Sequence, residues 1–396
     1  MTSKIKLADR LSKVKPSPTL AITSLVSQLK AQGRDIIGLG AGEPDFDTPD
    51  NIKQAAIQAI HDGHTKYTPV DGTASLKAAI IKKFQQDNDL NYQADQILVS
   101  CGGKQSFYNL AQAILEPGDE VIIPAPYWVS YPDMVLLAGA EPVIIQANQA
   151  QRFKITPDQL ETAITDKTKL LVINSPSNPT GSAYTSDELK ALSEVLIKYP
   201  QVVIATDDMY EHIMWNNTPF TNIVNVCPEL YDRTMVLNGV SKAYSMTGWR
   251  IGYAAGPADV IKAMKKIQSQ STSNPTSISQ YAAEEALNGD QDAVKDMVKH
   301  FKRRHDLLLE GLNAIEGIEC INGDGTFYLF PNVQGAIDTI DGVSNDAELA
   351  KYLIDKAGVA LVPGSAFGLE GYVRLSFATS DEILEEALSR LAKALS

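Results

Sequence analysis

The chain predicts an α/β protein: a large domain built on a mostly parallel seven-stranded sheet covered by helices, followed by a smaller α+β domain. Three observations lead there. From about residue 95 to 255, short β-rich runs alternate with helical stretches, the order expected of an open parallel sheet. Most of those runs are continuously apolar, as strands covered on both faces are. Beyond residue 315 the texture changes to short strands punctuated by glycine, with two further helices. A chain of 396 residues is long enough for a large core and a second, smaller one.

The seven runs are QILVS (96–100), EVIIPA (120–125), EPVIIQ (141–146), KLLVIN (169–174), VVIAT (202–206), TMVLN (234–238) and IGYAA (251–255). Helix starts lie between them. Thr156-Pro157 offers an N-cap and a first-turn proline, and Thr185 with Glu188, like Thr379 with Glu382, has capping-box spacing. A helix is expected from Lys104 to Leu115. Residues 276–315 read as mostly helical, and the basic stretch KHFKRRH (299–305) reads as a solvated helix face. GIECING, GTFYLF, GVALVP and GYVRLSFA read as strands, with helices near 346–357 and 380–394. The expected division is an N-terminal arm and segment joining the small domain (1–45), a large domain (46–290) and a small C-terminal domain (291–396).

Composition narrows the function classes. A net charge of −13 disfavours nucleic acid and anionic lipid as partners, so an anionic ligand must be held by local groups. Three cysteines without paired spacing predict neither a disulfide framework nor a zinc site, and a reduced, cytoplasmic setting is expected. The N-terminal stretch has no apolar signal core, and no run of 18 apolar residues occurs. No metal is expected, and no solenoid repeat or low-complexity tract is present.

In an open α/β sheet, ligands bind beyond the carboxyl ends of the strands. The residues just after these strands form a polar set: Gly102-Gly103-Lys104, Tyr127-Trp128, Asn178, Asp207 with Tyr210, and Ser241-Lys242. LVSCGGKQS (98–106) has the form of a backbone phosphate cradle at a helix start, yet Lys104 sits where the helix dipole disfavours a cation. GLGAG (38–42) lacks the G-x-G-x-x-G spacing of a dinucleotide loop and runs on to Glu43-Pro44.

The most specific stretch is NGVSKAYSMTGWRIGY (238–253), in which Lys242 is bracketed by Gly239 and Ser241 and followed by Arg250 and Gly252. It resembles the pyridoxal-phosphate attachment segment of class I aminotransferases, and the likeness to the aspartate aminotransferase group runs from about Pro16 to the C-terminus. The resemblance implies fold type I, a small domain built from both chain ends, and pyridoxal 5'-phosphate held covalently by Lys242, which then carries the proton. It implies that Asp207 pairs with the pyridine nitrogen, and the family's Asp-x-x-Tyr spacing selects Asp207 over Asp208. Relatives more typically carry Glu at the latter position. Tyr210 and Asn178 would meet the phenolic oxygen, and Trp128 would stack on the ring. Arg250, Ser241 and the Gly102–Lys104 backbone would hold the phosphate, as would Tyr67 reaching into the neighbouring subunit. A homodimer with active sites at the subunit interface is therefore expected.

For substrate, the resemblance implies that Arg374 binds the α-carboxylate as a fork, with Gly40 and Asn178 completing that pocket and Trp128 also among the substrate-binding residues. SQSTSNPTS (269–277) lacks the arginine that many relatives use for the distal carboxylate. The chain therefore resembles the subgroup in which the GGKQ lysine, Lys104, takes that task, with Ser17 and Thr19 closing over it. Amino-acid and 2-oxo-acid substrates follow, with ping-pong aspartate:2-oxoglutarate transamination as the leading expectation. Prephenate transamination to arogenate is the close alternative. An aromatic- or kynurenine-type aminotransferase and a β-lyase also share the fold. A pyridoxal-phosphate-binding regulator would need a DNA-binding domain, for which only about 35 residues precede the first glycine-rich strand.

Overall fold

Seven strands make the central sheet of the computed structural model, which describes residues 5–215 and 219–396. Residues 1–4, where the expected N-terminal arm begins, lie outside the described residues. The strands are β1 (Ile97–Ser100), β2 (Glu120–Ala125), β3 (Glu141–Gln146), β4 (Thr168–Asn174), β5 (Val203–Asp207), β6 (Thr234–Gly239) and β7 (Gly252–Ala255). Their order across the sheet is β1-β7-β6-β5-β4-β2-β3. All pairings are parallel except those of β7, which runs against both β1 and β6.

This topology builds the site edge. The carboxyl ends of the six co-directional strands open on one side of the sheet. β7 starts at that same side, because Gly252 pairs with both Ser100 and Gly239. The segment leading into β7, which carries Arg250, therefore arrives beside the loops that follow β1 and β6.

Consecutive apolar residues of each strand go to opposite faces, which is why the runs read as continuous. Val99, Ile122, Leu171, Ile173, Ile204 and Val236 pack with Ile80, Phe84 and Leu192 from helices on one face. Leu98, Val121, Leu170, Val172, Ala205 and Leu237 pack with Phe107, Leu110 and Met264 on the other. Leu171 is fully buried, and truncating such a side chain costs about 2–5 kcal/mol.

Two small sheets join distant parts of the chain. Ile37–Gly38 pairs in parallel with Val359–Ala360. Val373–Ser376 lies between Tyr328–Leu329 and Val362–Pro363 in an antiparallel sheet. Helices Asp292–Asn313 and Asp381–Leu395 cover this region through a common core of Phe301, Leu308, Leu375, Leu384 and Leu391. Among the described residues no helix is long and apolar enough to cross a membrane, and no cluster of three His, Cys, Asp or Glu could hold a metal ion.

Three local expectations change. GIECING is not a strand: Gly317 turns with φ +82°, Cys320 N–H donates to the Asn313 side chain, and only an isolated bridge joins Glu319 to Asn332. The last helix is capped by Ser380 instead of Thr379, its hydroxyl accepting from Ile383 N. The basic stretch 299–305 is not a purely solvated face. His305 is fully buried, and Arg304, 6% exposed, forks onto Asp45 at 2.8 and 2.9 Å. Its neighbours Lys299 and Arg303 do face solvent.

Candidate active site

At the carboxyl edge of the sheet lies a cavity of about 400 Å³. The phosphate-cradle motif forms one wall. After β1 the chain turns at Gly102, φ +89°, into helix Gly103–Ile114. A Cβ at Gly102 would collide with the Arg250 guanidinium, and one at Gly252 with the Gly103 backbone. The glycines thus let a cation and a helix N-terminus share one spot, where first-turn N–H groups lack intrahelical acceptors. Arg250 donates to Thr247 O at 2.9 Å and Cys101 O at 3.1 Å. Buried Ser241 lines the same cavity.

Lys104 leaves this cradle. Its Nζ stands 5.1 Å from the centroid of the Trp128 ring, a cation–π geometry that holds it along the cavity wall. Burial and the Arg250 charge both lower its proton affinity.

Lys242 lies in the loop after β6 and donates from Nζ to Gly42 O at 2.6 Å. The residue is partly accessible through the cavity, yet loss of hydration around the ammonium dominates. Burial, with Arg250 and Arg374 nearby, outweighs Glu43 and Asp207 and lowers its pKa to about 8.

Asp207 ends β5. Its Oδ2 accepts from Tyr131 Oη at 2.5 Å and its Oδ1 from Met209 N at 3.3 Å. Burial pulls the carboxyl up, while Tyr131, Met209 N–H and Lys242 hold it down. Asp208, one residue on, is buried away from the cavity and accepts from Asn222 Nδ2 at 2.7 Å. Strand alternation therefore sends only Asp207 into the cavity. Tyr210 is buried beside it, its hydroxyl 3.1 Å from that of Tyr328.

Arg374, on the middle strand of the small sheet, is 2% exposed. It donates to Asn178 Oδ1 at 2.8 Å and Gly40 O at 2.7 Å, and it packs on the rings of Tyr328 and Phe367. Both acceptors are neutral, and its buried Nε has no partner among the described residues. A buried guanidinium held only by neutral groups is costly unless an anion joins it.

The structure thus gathers Gly103, Lys104, Trp128, Asn178, Asp207 and Tyr210 around one cavity, with Ser241, Lys242, Arg250 and Arg374. Ser17 and Thr19 also line it, their hydroxyls 3.0 Å apart, with Ser17 capping helix Pro18–Ala31. Gly102 and Gly40 stand one layer behind, against the two arginines. Tyr67 is apart from it, 92% exposed. Tyr131 and Tyr328 are additions that the sequence did not single out.

The chain matches the family model for aminotransferase class I and II over residues 34–391. It is 59% identical to an aspartate/prephenate aminotransferase of Nitrosomonas europaea, covering 99% of this chain and 100% of that protein. It is 56% identical to one from Cereibacter sphaeroides, covering 97% of each. Among solved structures, an aspartate aminotransferase from Rhizobium meliloti superposes with a TM-score of 0.96 at 48% identity over 99% of both chains. An aspartate aminotransferase from Thermus thermophilus with maleate gives a TM-score of 0.93 at 42% identity, over 98% of this chain and 100% of that one. A family model spanning residues 34–391, with relatives this similar over nearly the whole of both chains, settles the family: the chain belongs to the class I and II aminotransferases.

Proposed function

We propose that this aminotransferase moves an amino group between aspartate and 2-oxoglutarate, and that it also accepts prephenate. Family membership implies a pyridoxal phosphate cofactor, and the donor set fits it. The Gly103 helix start, Ser241 and Arg250 would hold the phosphate, Asp207 the pyridine nitrogen, and Lys242 the aldehyde. When bound, that cofactor supplies a carbon that bonds covalently to amines and a ring that takes up the electron pair left by α-deprotonation.

The chain's own residues do the rest. Lys242 Nζ, with its pKa lowered to about 8, can hold a proton and release it near neutral pH. Burial raises the Asp207 carboxyl, the Tyr131 bond opposes that rise, and as the carboxylate Asp207 would offer its charge to a protonated ring nitrogen. Tyr210 presents its hydroxyl, tied to Tyr328, on the same side. Arg374, with Asn178, orients the substrate by its α-carboxylate. Lys104 meets the second carboxylate, with Ser17 and Thr19 closing from the N-terminal helix, whose residues are nowhere fully buried.

The observation that carries this assignment is Arg374: a buried, anion-seeking fork facing the same cavity as Lys242. The maleate bound by the Thermus relative is itself a dicarboxylate, and the Nitrosomonas and Cereibacter relatives are named for both aspartate and prephenate. We also propose a homodimer. Tyr67 stands 92% exposed, with Ile57 and Ile60 nearby in sequence 45% and 52% exposed, a surface suited to a second copy.

The test is to supply the purified protein with pyridoxal phosphate, aspartate and 2-oxoglutarate and measure oxaloacetate. Its formation is expected, and its absence would overturn the assignment. Arogenate formation from prephenate, measured at equal enzyme, tests the second substrate.

A further inference from the structure

Behind the cavity, a buried ion pair links elements that carry different parts of the site. The side chains of Lys83, on helix Ala74–Asn88, and Glu211 are only 2% and 3% exposed. Lys83 Nζ donates to the Glu211 carboxylate and, at 2.6 Å, to Asn88 Oδ1. Glu211 also accepts from Asn88 Nδ2 and Asn238 Nδ2, each at 2.6 Å. Asn238 Oδ1 in turn accepts from Gly239 N at 2.7 Å. At the outer edge, His212 lies 3.6 Å from Glu211 and 3.4 Å from Asp87. Burial alone would raise the Glu211 carboxyl, but the charges of Lys83 and His212 outweigh it and keep the carboxyl well below its ordinary range.

Position gives this cluster its meaning. Glu211 directly follows Tyr210, in the turn that begins at Asp207. Gly239 lies at the end of β6, just before Ser241 and Lys242. One carboxylate therefore ties the Asp207–Tyr210 turn to the end of β6, from which the Lys242 loop departs, and both to helix Ala74–Asn88. Neither Lys83, Glu211 nor Asn238 lines the cavity. Removing two charges from water offsets much of their attraction, so such a pair adds little net stability over apolar residues of similar size. Saturated, directional hydrogen bonds do fix one arrangement of the elements they join.

We propose that Lys83, Glu211 and Asn238 form a positioning node that sets the mutual placement of Asp207, Tyr210 and Lys242. This rests on the aminotransferase assignment and deepens it: the node governs how well the cavity is organised for its cofactor and for turnover, without touching either.

The test compares Lys83→Met/Glu211→Met, Lys83→Met/Glu211→Gln and Asn238→Ala with wild type. The readouts are the pyridoxal phosphate dissociation constant, the melting temperature of the cofactor-free protein, and kcat and KM for aspartate. In the double methionine variant, cofactor binding should weaken and kcat fall, each by about tenfold or more, with aspartate KM within about threefold. The glutamine version, which restores a neutral hydrogen-bonding side chain, should recover most of both losses. A purely structural role would lower the melting temperature while the folded protein kept wild-type cofactor affinity and kcat; that result overturns the proposal. If the methionine variant does not fold, Asn238→Ala decides on the same readouts, with unchanged affinity and kcat again overturning it. Wild-type protein that makes no oxaloacetate would instead defeat the functional assignment, while the cofactor dissociation constants still report on the node.

Discussion

Tyr131 Oη donates to Asp207 Oδ2 at 2.5 Å, from a position 76 residues earlier in the chain. Hydrogen bonding to the charged form of a carboxylate opposes the upward pull of burial. Tyr131→Phe removes that donor, so the Asp207 pKa should rise and the acid limb of kcat/KM should move to higher pH. A hydrogen bond to a charged group is worth about 1.5–3 kcal/mol, so a tenfold or larger loss of kcat/KM at neutral pH is expected. A pH–rate profile superposable on wild type would show that Tyr131 does not tune Asp207.

Lys242→Ala should abolish turnover and alter cofactor-free stability in a pH-dependent way. With its pKa lowered from 10.5 to about 8 in the folded protein, Lys242 binds fewer protons folded than unfolded between those values. Its contribution to stability therefore improves as pH rises through that window, and below about pH 8 the protonated form is a constant burden. Screening by water in the open cavity reduces that burden to roughly 1–2 kcal/mol. Lys242→Ala, free of cofactor, should thus be more stable than wild type at pH 7, with the advantage shrinking towards pH 10. Denaturant melts at the two pH values measure it.

Lys104 Nζ stands 5.1 Å from the Trp128 ring centroid, and it is the residue we propose for the substrate's second carboxylate. Lys104→Ala should raise KM for aspartate and glutamate by about tenfold or more, the value of one charge-assisted contact. Alanine and aromatic amino acids should change far less. Equal losses across all substrates would return this lysine to the phosphate.

Arg374→Lys keeps the charge but loses the fork that Asn178 and Gly40 hold in place. KM should rise for mono- and dicarboxylic substrates alike, by about ten- to a hundredfold. Cofactor binding, followed by absorbance without substrate, should stay near wild type.

Tyr67→Phe is the probe of the proposed dimer. It should weaken cofactor binding by a few-fold, about 1 kcal/mol for one hydrogen bond. Sedimentation should show a dimer for both proteins, and a monomeric wild type with full cofactor affinity would contradict the arrangement.

The sheet was legible because its strands are buried on both faces and so read as continuous apolar runs bounded by turns. Alternation along β5 also explains why Asp207, and not Asp208, reaches the cavity. Less legible were features decided by tertiary partners. Arg304 and His305 look like part of a charged surface, but Asp45 accepts from Arg304 across 259 residues and the Gly323 N–H donates to His305. Tyr328 meets Tyr210 across 118 residues, and Glu211 meets Lys83 across 128. Nothing local marks such side chains as part of a site. Gly317 and Asn313 likewise take residues 317–323 out of a strand through a turn and a side-chain bond that β propensity does not reveal.

Lys242 is the residue proposed to hold the cofactor. Borohydride reduction of the protein saturated with pyridoxal phosphate, followed by peptide mass mapping, tests it directly. A single pyridoxyl modification on Lys242 is the predicted result. Modification of Lys104 or another lysine with Lys242 untouched, or no modification at all, would contradict it.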